Sequence, residues 1–172
     1  MGDLYLEELV LRKKTLKDKI IIVGLIAFGF YLWVGAFMWR FSLLYLLPAV
    51  MVTIVAVIVL PRLNVEWEYT YVDAELDVDK IFNRARRKRV GTYEIKKAEI
   101  IAPANSHRLD YHNNNKKMKV MDCTSLFPER QKNVYAMIIE DDKYGMLKVL
   151  FEPSQDMITD MSRRAPRTVF FD

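Results

Sequence analysis

The chain opens with a mixed pattern in which Leu4, Leu6, Leu9, Val10 and Leu11 are interspersed with Asp3, Glu7 and Glu8 and followed by a run of cations. From Ile20 to Pro61 the character changes: 42 residues carry one charged side chain, Arg40. A helix satisfies its own backbone hydrogen bonds, so about 20 apolar residues rising 1.5 Å each suffice to cross a hydrocarbon layer. Ile20–Met38 supplies 19 and Phe41–Leu60 supplies 20. Between them, Trp39 favours the headgroup level and Arg40 reaches back to water, which marks a turn. The pattern predicts a transmembrane helical hairpin over 20–61, with spans 20–38 and 41–60 and Pro48 as a kink site in the second. A soluble protein burying the same hairpin needs a shell on all sides, and the 111 of 172 residues that follow are too few to build one. The tract is also too long for a cleaved signal peptide, and no small-residue cleavage pattern follows it.

Orientation follows from the cations. Residues 1–19 hold Arg12, Lys13, Lys14, Lys17 and Lys19, whereas the turn holds Arg40 alone, so the N-terminus stays in the cytoplasm and two crossings return the C-terminus there. The expected location is the cell membrane, multi-pass, with both termini cytoplasmic. The N-terminal segment 1–19 reads as a short amphipathic helix at the interface or a leader without structure.

Beyond residue 62 the period shifts to two. Val65, Trp67, Tyr69 and Tyr71 alternate with Glu66, Glu68 and Thr70, a half-buried strand. After a turn at Asp73-Ala74, further strands are predicted at Leu76–Asn83, Arg87–Tyr93, Ile95–Ala102, Lys117–Cys123, Asn133–Glu140 and Gly145–Phe151, with loop over Ala104–Lys116. Ser154 is placed to cap a helix carrying Asp156 in its first turn and Met157, Ile158 and Met161 on one face, ending before Pro166. Seven antiparallel strands and one helix over 62–172 give an α+β membrane protein whose second part has the element order of a pleckstrin-homology (PH)-like barrel. A different α+β roll competes with it.

The hairpin followed by such a domain resembles small bacterial membrane proteins with bacterial PH-like domains. More narrowly, Gly2-Asp3-Leu4-Tyr5-Leu6-Glu7-Glu8-Leu9-Val10 and Leu76-Asp77-Val78-Asp79-Lys80-Ile81-Phe82-Asn83-Arg84-Ala85-Arg86-Arg87-Lys88-Arg89 are similar to an uncharacterised family of Gram-positive bacterial membrane proteins. The resemblance spans nearly the whole chain. It implies anchoring and architecture and brings no catalytic residues.

Charge matters locally. Residues 62–172 hold 20 Lys and Arg against 18 Asp and Glu, so the domain as a whole is no polyanion binder and nucleic acid is not an expected partner. Arg84, Arg86, Arg87, Lys88 and Arg89 nevertheless place five cations in six positions, with Lys116, Lys117 and Lys119 as a lesser cluster. Beside an anionic leaflet each cation gains on the order of 1 kcal/mol, which makes the run a candidate contact for lipid headgroups or a membrane protein partner. The competing account is structural: a hairpin turning near Asn83-Arg84 sets Asp77 and Asp79 opposite Arg87 and Arg89 as cross-strand ion pairs.

Catalytic motifs are not found. Counted from Asp73, the sixth and twelfth places of a calcium loop hold Val78 and Arg84 where glycine and glutamate are needed. His107, His112 and Cys123 match no zinc spacing, the single cysteine rules out an internal disulfide framework, and no glycine-rich phosphate loop is present. The expectation is a non-enzymatic scaffold or interaction module without a cofactor. An accessory subunit of a larger membrane enzyme or transport complex is the alternative, although neither span carries an acidic or imidazole residue for a relay.

Overall fold

The computed structural model describes residues 5–40, 42–113 and 118–171. Thr15 opens the first apolar helix by a reciprocal cap: its hydroxyl accepts from the Asp18 amide at 3.3 Å, and the Asp18 carboxylate accepts from the Thr15 amide at 2.8 Å. The helix α1 (Leu16–Met38) therefore begins one turn before the uncharged tract. Its partner α2 (Leu43–Arg62) accommodates both Pro48 and Pro61; the expected first residue, Phe41, lies outside the described residues. Small residues let the two helices meet. Gly35 faces the Tyr45 ring, which stacks on Trp39 at 5.2 Å, and Trp33 Nε1 donates across the pair to Thr53 Oγ1 at 3.1 Å. The outer flanks are bare, with Phe30 and Leu44 more than 70% exposed. The domain thus provides no shell around the helices.

The segment ahead of α1 is a strand, β1 (Tyr5–Leu11), not the interfacial helix or unstructured leader expected; Gly2 to Leu4 lie outside the described residues. Strand β2 (Val65–Val72) explains why: it offers β1 an antiparallel partner over its whole length, Tyr5 opposite Val72 and Leu11 opposite Glu66. Strands β3 (Glu75–Phe82) and β4 (Arg86–Glu94) complete a sheet in the order β1-β2-β3-β4. Both of its hairpin turns hold two residues in the left-handed region: Asp73-Ala74 form a two-residue loop, the geometry that matches strand twist, and Asn83-Arg84 open a three-residue loop that Ala85 completes.

The predicted strand at Ile95–Ala102 divides. Ile95–Lys97 forms a 3₁₀ turn whose Ile95 amide donates to Ala74 O, and only Ile100–Pro103 is strand, β5. After the short α3 (Asp110–Asn113) come β6 (Lys119–Asp122), β7 (Tyr135–Asp141) and β8 (Gly145–Phe151). They form a second sheet in the order β5-β7-β8-β6, where β6 runs parallel to β8. Eight strands in two four-stranded sheets therefore replace the seven antiparallel strands expected, because β1 adds one and β6 enters by a crossover. The inner faces share one core, with Tyr69 edge-on to Phe151 and the Tyr69 hydroxyl donating to the buried Cys123 carbonyl at 2.6 Å. Helix α4 (Gln155–Arg164), capped by Ser154 as expected, buries Met157, Ile158 and Met161 against that core. Arg164 ties it to the β2–β3 turn by pairing with Asp73 at 2.8 Å, and pairs at the same distance with Asp160 one turn back on α4.

Candidate functional site

Strand alternation divides the basic run. On β4, Arg87 and Arg89 lie opposite Ile81 and Asp79 on the outer face of the sheet, whereas Arg86 and Lys88 lie opposite Phe82 and Lys80 on the face that carries Val65 and Trp67. A bulge at Val90 then resets the register so that Thr92 also faces outward, opposite Asp77.

The outer members are neutralised. Arg87 meets Glu68 at 2.6 Å and Asp79 at 3.7 Å, Arg89 meets Asp77 at 3.1 Å and Asp79 at 3.7 Å, and Arg84 meets Glu66 at 3.0 Å. Pairing of Asp77 and Asp79 with Arg87 and Arg89 is the structural arrangement foreseen from sequence. Glu66 and Glu68 were not, because they lie two strands away on β2 and only the sheet order brings them within reach. Glu68 is buried, and that burial raises its pKa against the opposing pull of Arg87.

The inner members are left over. Arg86 and Lys88 are exposed and make no ion pair among the described residues, and the same holds for Arg62 at the end of α2. These three cations, with Val57, Ile58, Pro61 and Phe82, line a cleft of about 720 Å³ between the last turns of α2 and the β3–β4 hairpin; Arg87 also borders it, its guanidinium already paired with Glu68 and Asp79, and no carboxylate lines it. The hairpin tip is pinned there: the Asn83 amide donates to Asn64 O at 2.8 Å, and Asn64 Nδ2 donates to Asn83 Oδ1 at 3.3 Å. Arg84 holds a left-handed backbone that glycine would adopt without strain, so the tip carries a guanidinium at some conformational cost. Behind the cleft Lys80 lies over the rings of Phe82 and Trp67 at 4.9 and 5.4 Å. Its pKa is lowered by burial first, and by the positive charges of Arg12 and Lys88. Positive potential is thus concentrated where the helix pair joins the domain. Arg62 and the cleft itself were not visible in the sequence, since α2 and β4 are brought together only by the fold.

The remaining candidates do not converge. Lys119 lies over the Tyr144 ring, while Lys116 and Lys117 are outside the described residues. His107 pairs with Asp110 at 3.3 Å and His112 approaches Glu99 at 3.7 Å. Cys123 sits apart from both, fully buried, and burial pushes its thiol up to about 12. Among the described residues no three potential metal ligands come together. A smaller polar cleft brings Glu8 of β1 toward Glu152 and the Ser154 cap, where Glu152 accepts from the Ser125 amide and hydroxyl and Arg130 stands 3.9 Å away.

No curated protein and no solved structure matches the chain. A protein family does, over residues 2–171, from β1 through both apolar helices to the end of the second sheet and α4. The chain belongs to the bacterial PH-like domain family DUF6106.

Proposed function

We propose that this protein is a non-enzymatic, membrane-anchored interaction module. In this reading α1 and α2 cross the bilayer as a hairpin, and the PH-like domain is held against the cytoplasmic leaflet, presenting its basic cleft to anionic lipid or a membrane protein partner. The carrying observation is the helix pair itself: long, apolar, laterally exposed, and tied at its base into one sheet by the β1–β2 ladder. That ladder requires both helices to end on the same side of any bilayer they cross. The excess of cations at Arg12–Lys19 over Arg40 at the turn selects the cytoplasmic side. No reaction is assigned, because the one thiol is enclosed in the core and each histidine answers to a local carboxylate.

The test is alkaline extraction of native membranes combined with reporters fused ahead of Met1 and behind Asp172. The protein is expected to stay with the membrane, with both reporters active in the cytoplasm. Release into the supernatant, or reporters on opposite sides, overturns the reading.

A further inference from the structure

The geometry points to the cleft between the end of α2 and the β3–β4 hairpin as a site for one anionic glycerophospholipid, its phosphate between Arg62, Arg86 and Lys88 and an acyl chain along Val57 and Ile58. This inference rests on the membrane reading above and names the ligand of the same cleft. Three features converge on lipid. The walls differ in chemistry, apolar on the α2 side and cationic on the β4 side, which is the division within a phospholipid at the level of its glycerol. Along a helix, Val57 lies roughly 7 Å deeper than Arg62, so cation and apolar wall follow the depth order of headgroup and chain. The volume of about 720 Å³ lies in the range of small-molecule sites.

Charge balance argues the same way. Every cation of the hairpin that turns outward has found a carboxylate, while the two that turn toward α2 have none and stand beside Lys80. An anion in the cleft supplies the missing counter-charge. A soluble peptide cannot reach the apolar wall without entering the acyl region, whereas a lipid arrives by lateral diffusion.

The experiment uses the full chain, extracted in mild detergent and reconstituted in nanodiscs with equal phosphatidylglycerol and phosphatidylcholine of matched chains. Retained lipid is read by native mass spectrometry after release. The wild-type protein is expected to keep one phosphatidylglycerol in preference to phosphatidylcholine, and the double variant R86A/K88A to lose that preference by roughly tenfold or more. R89A, which alters an outward cation paired with Asp77 and Asp79, is expected to retain it. Equal retention of the two lipids overturns the site, as does an equal loss in R89A, which signals diffuse surface charge. Displacement of the retained lipid by inorganic phosphate overturns the lipid assignment in favour of a plain anion site. Dye labelling of Cys123, which requires unfolding, identifies any variant that failed to fold, and the charge-removing pair R86Q/K88Q, closer in size, then takes the place of the alanine pair with the same expected loss. A protein that resists alkaline extraction yet shows no lipid preference fails this inference alone. One released by alkali fails the membrane reading first.

Discussion

Arg87→Ala is the most informative single change, because it removes the guanidinium that reaches two buried carboxylates. In the folded protein Glu68 and Asp79 are only 3% and 7% exposed, and Arg87 reaches both, at 2.6 and 3.7 Å. Deleting one partner of a fully buried pair costs about 3–5 kcal/mol, and of an exposed pair about 0–1 kcal/mol. The guanidinium is more than half exposed, so about 2 kcal/mol is the expected loss, or roughly 5–10 °C in Tm for a domain of this size. The loss depends on pH with a definite sign. Burial raises the Glu68 pKa in the folded state, so the fold favours its protonated form; stability from that source is full below the unfolded value and is lost as pH rises through the folded one. Removing Arg87, which opposes the rise, moves the folded value higher still. The deficit of the variant is therefore greatest at neutral pH and above, and closes as pH falls toward about 4. Thermal unfolding in detergent, followed by the fluorescence of buried Trp67 with Trp33 and Trp39 replaced by Phe, measures it. Glu68→Gln added to Arg87→Ala is expected to recover at least half the loss at pH 7.5. A deficit that is independent of pH, or one that Glu68→Gln leaves untouched, refutes the assignment of Arg87 to these carboxylates.

Other outcomes follow from the packing. Tyr69→Phe removes the donor to the Cys123 carbonyl and leaves a buried acceptor unmet, which is expected to cost about 1–2 kcal/mol and to shift the denaturation midpoint without changing the slope. A Cβ at Gly35 stands 2.6 Å from the Tyr45 ring, which Trp39 hinders from swinging away, so Gly35→Ala is expected to loosen the helix pair by about 1–2 kcal/mol and to alter Trp39 emission; Gly24→Ala, with nothing within 4 Å, is silent in both. Cys123, its thiol raised to about 12 by burial, is expected to resist iodoacetamide at pH 8 in the native protein and to react fully once unfolded.

The legible parts of the sequence were those where one physical rule acts alone. Two long runs of apolar residues announce α1 and α2 without reference to any partner. Gly145–Phe151 and the Ser154 cap were read at their observed places, since a turn residue and a local hydroxyl fix them. β1 was illegible because each of its faces is mixed: Leu6 and Val10 turn inward with Glu8, Tyr5, Leu9 and Leu11 turn outward with Glu7, and the preference for strand comes from β2, more than fifty residues away. Ile95 and Ile101 are both buried, which imitates one continuous strand, yet the chain turns a corner between them to pass from one sheet to the other. The direction of β6 beside β8 leaves no trace in alternation. In the basic run, period two already separates Arg86 and Lys88 from Arg87 and Arg89. What alternation does not show is that α2 closes a cleft over the first pair.

The ladder between β1 and β2 means that the apolar hairpin is inserted within the domain rather than attached ahead of it. The sheet is left at Leu11 and re-entered at Val65, with Leu11 directly opposite Glu66. A fragment cut at residue 62 therefore lacks an edge strand and bares one side of β2, whereas excising residues 12–64 and bridging the gap with a short turn keeps all eight strands while removing the apolar hairpin. During synthesis the same topology makes β1 wait, unpaired, until both helices have left the ribosome, so closure of the first sheet is tied to completion of the hairpin.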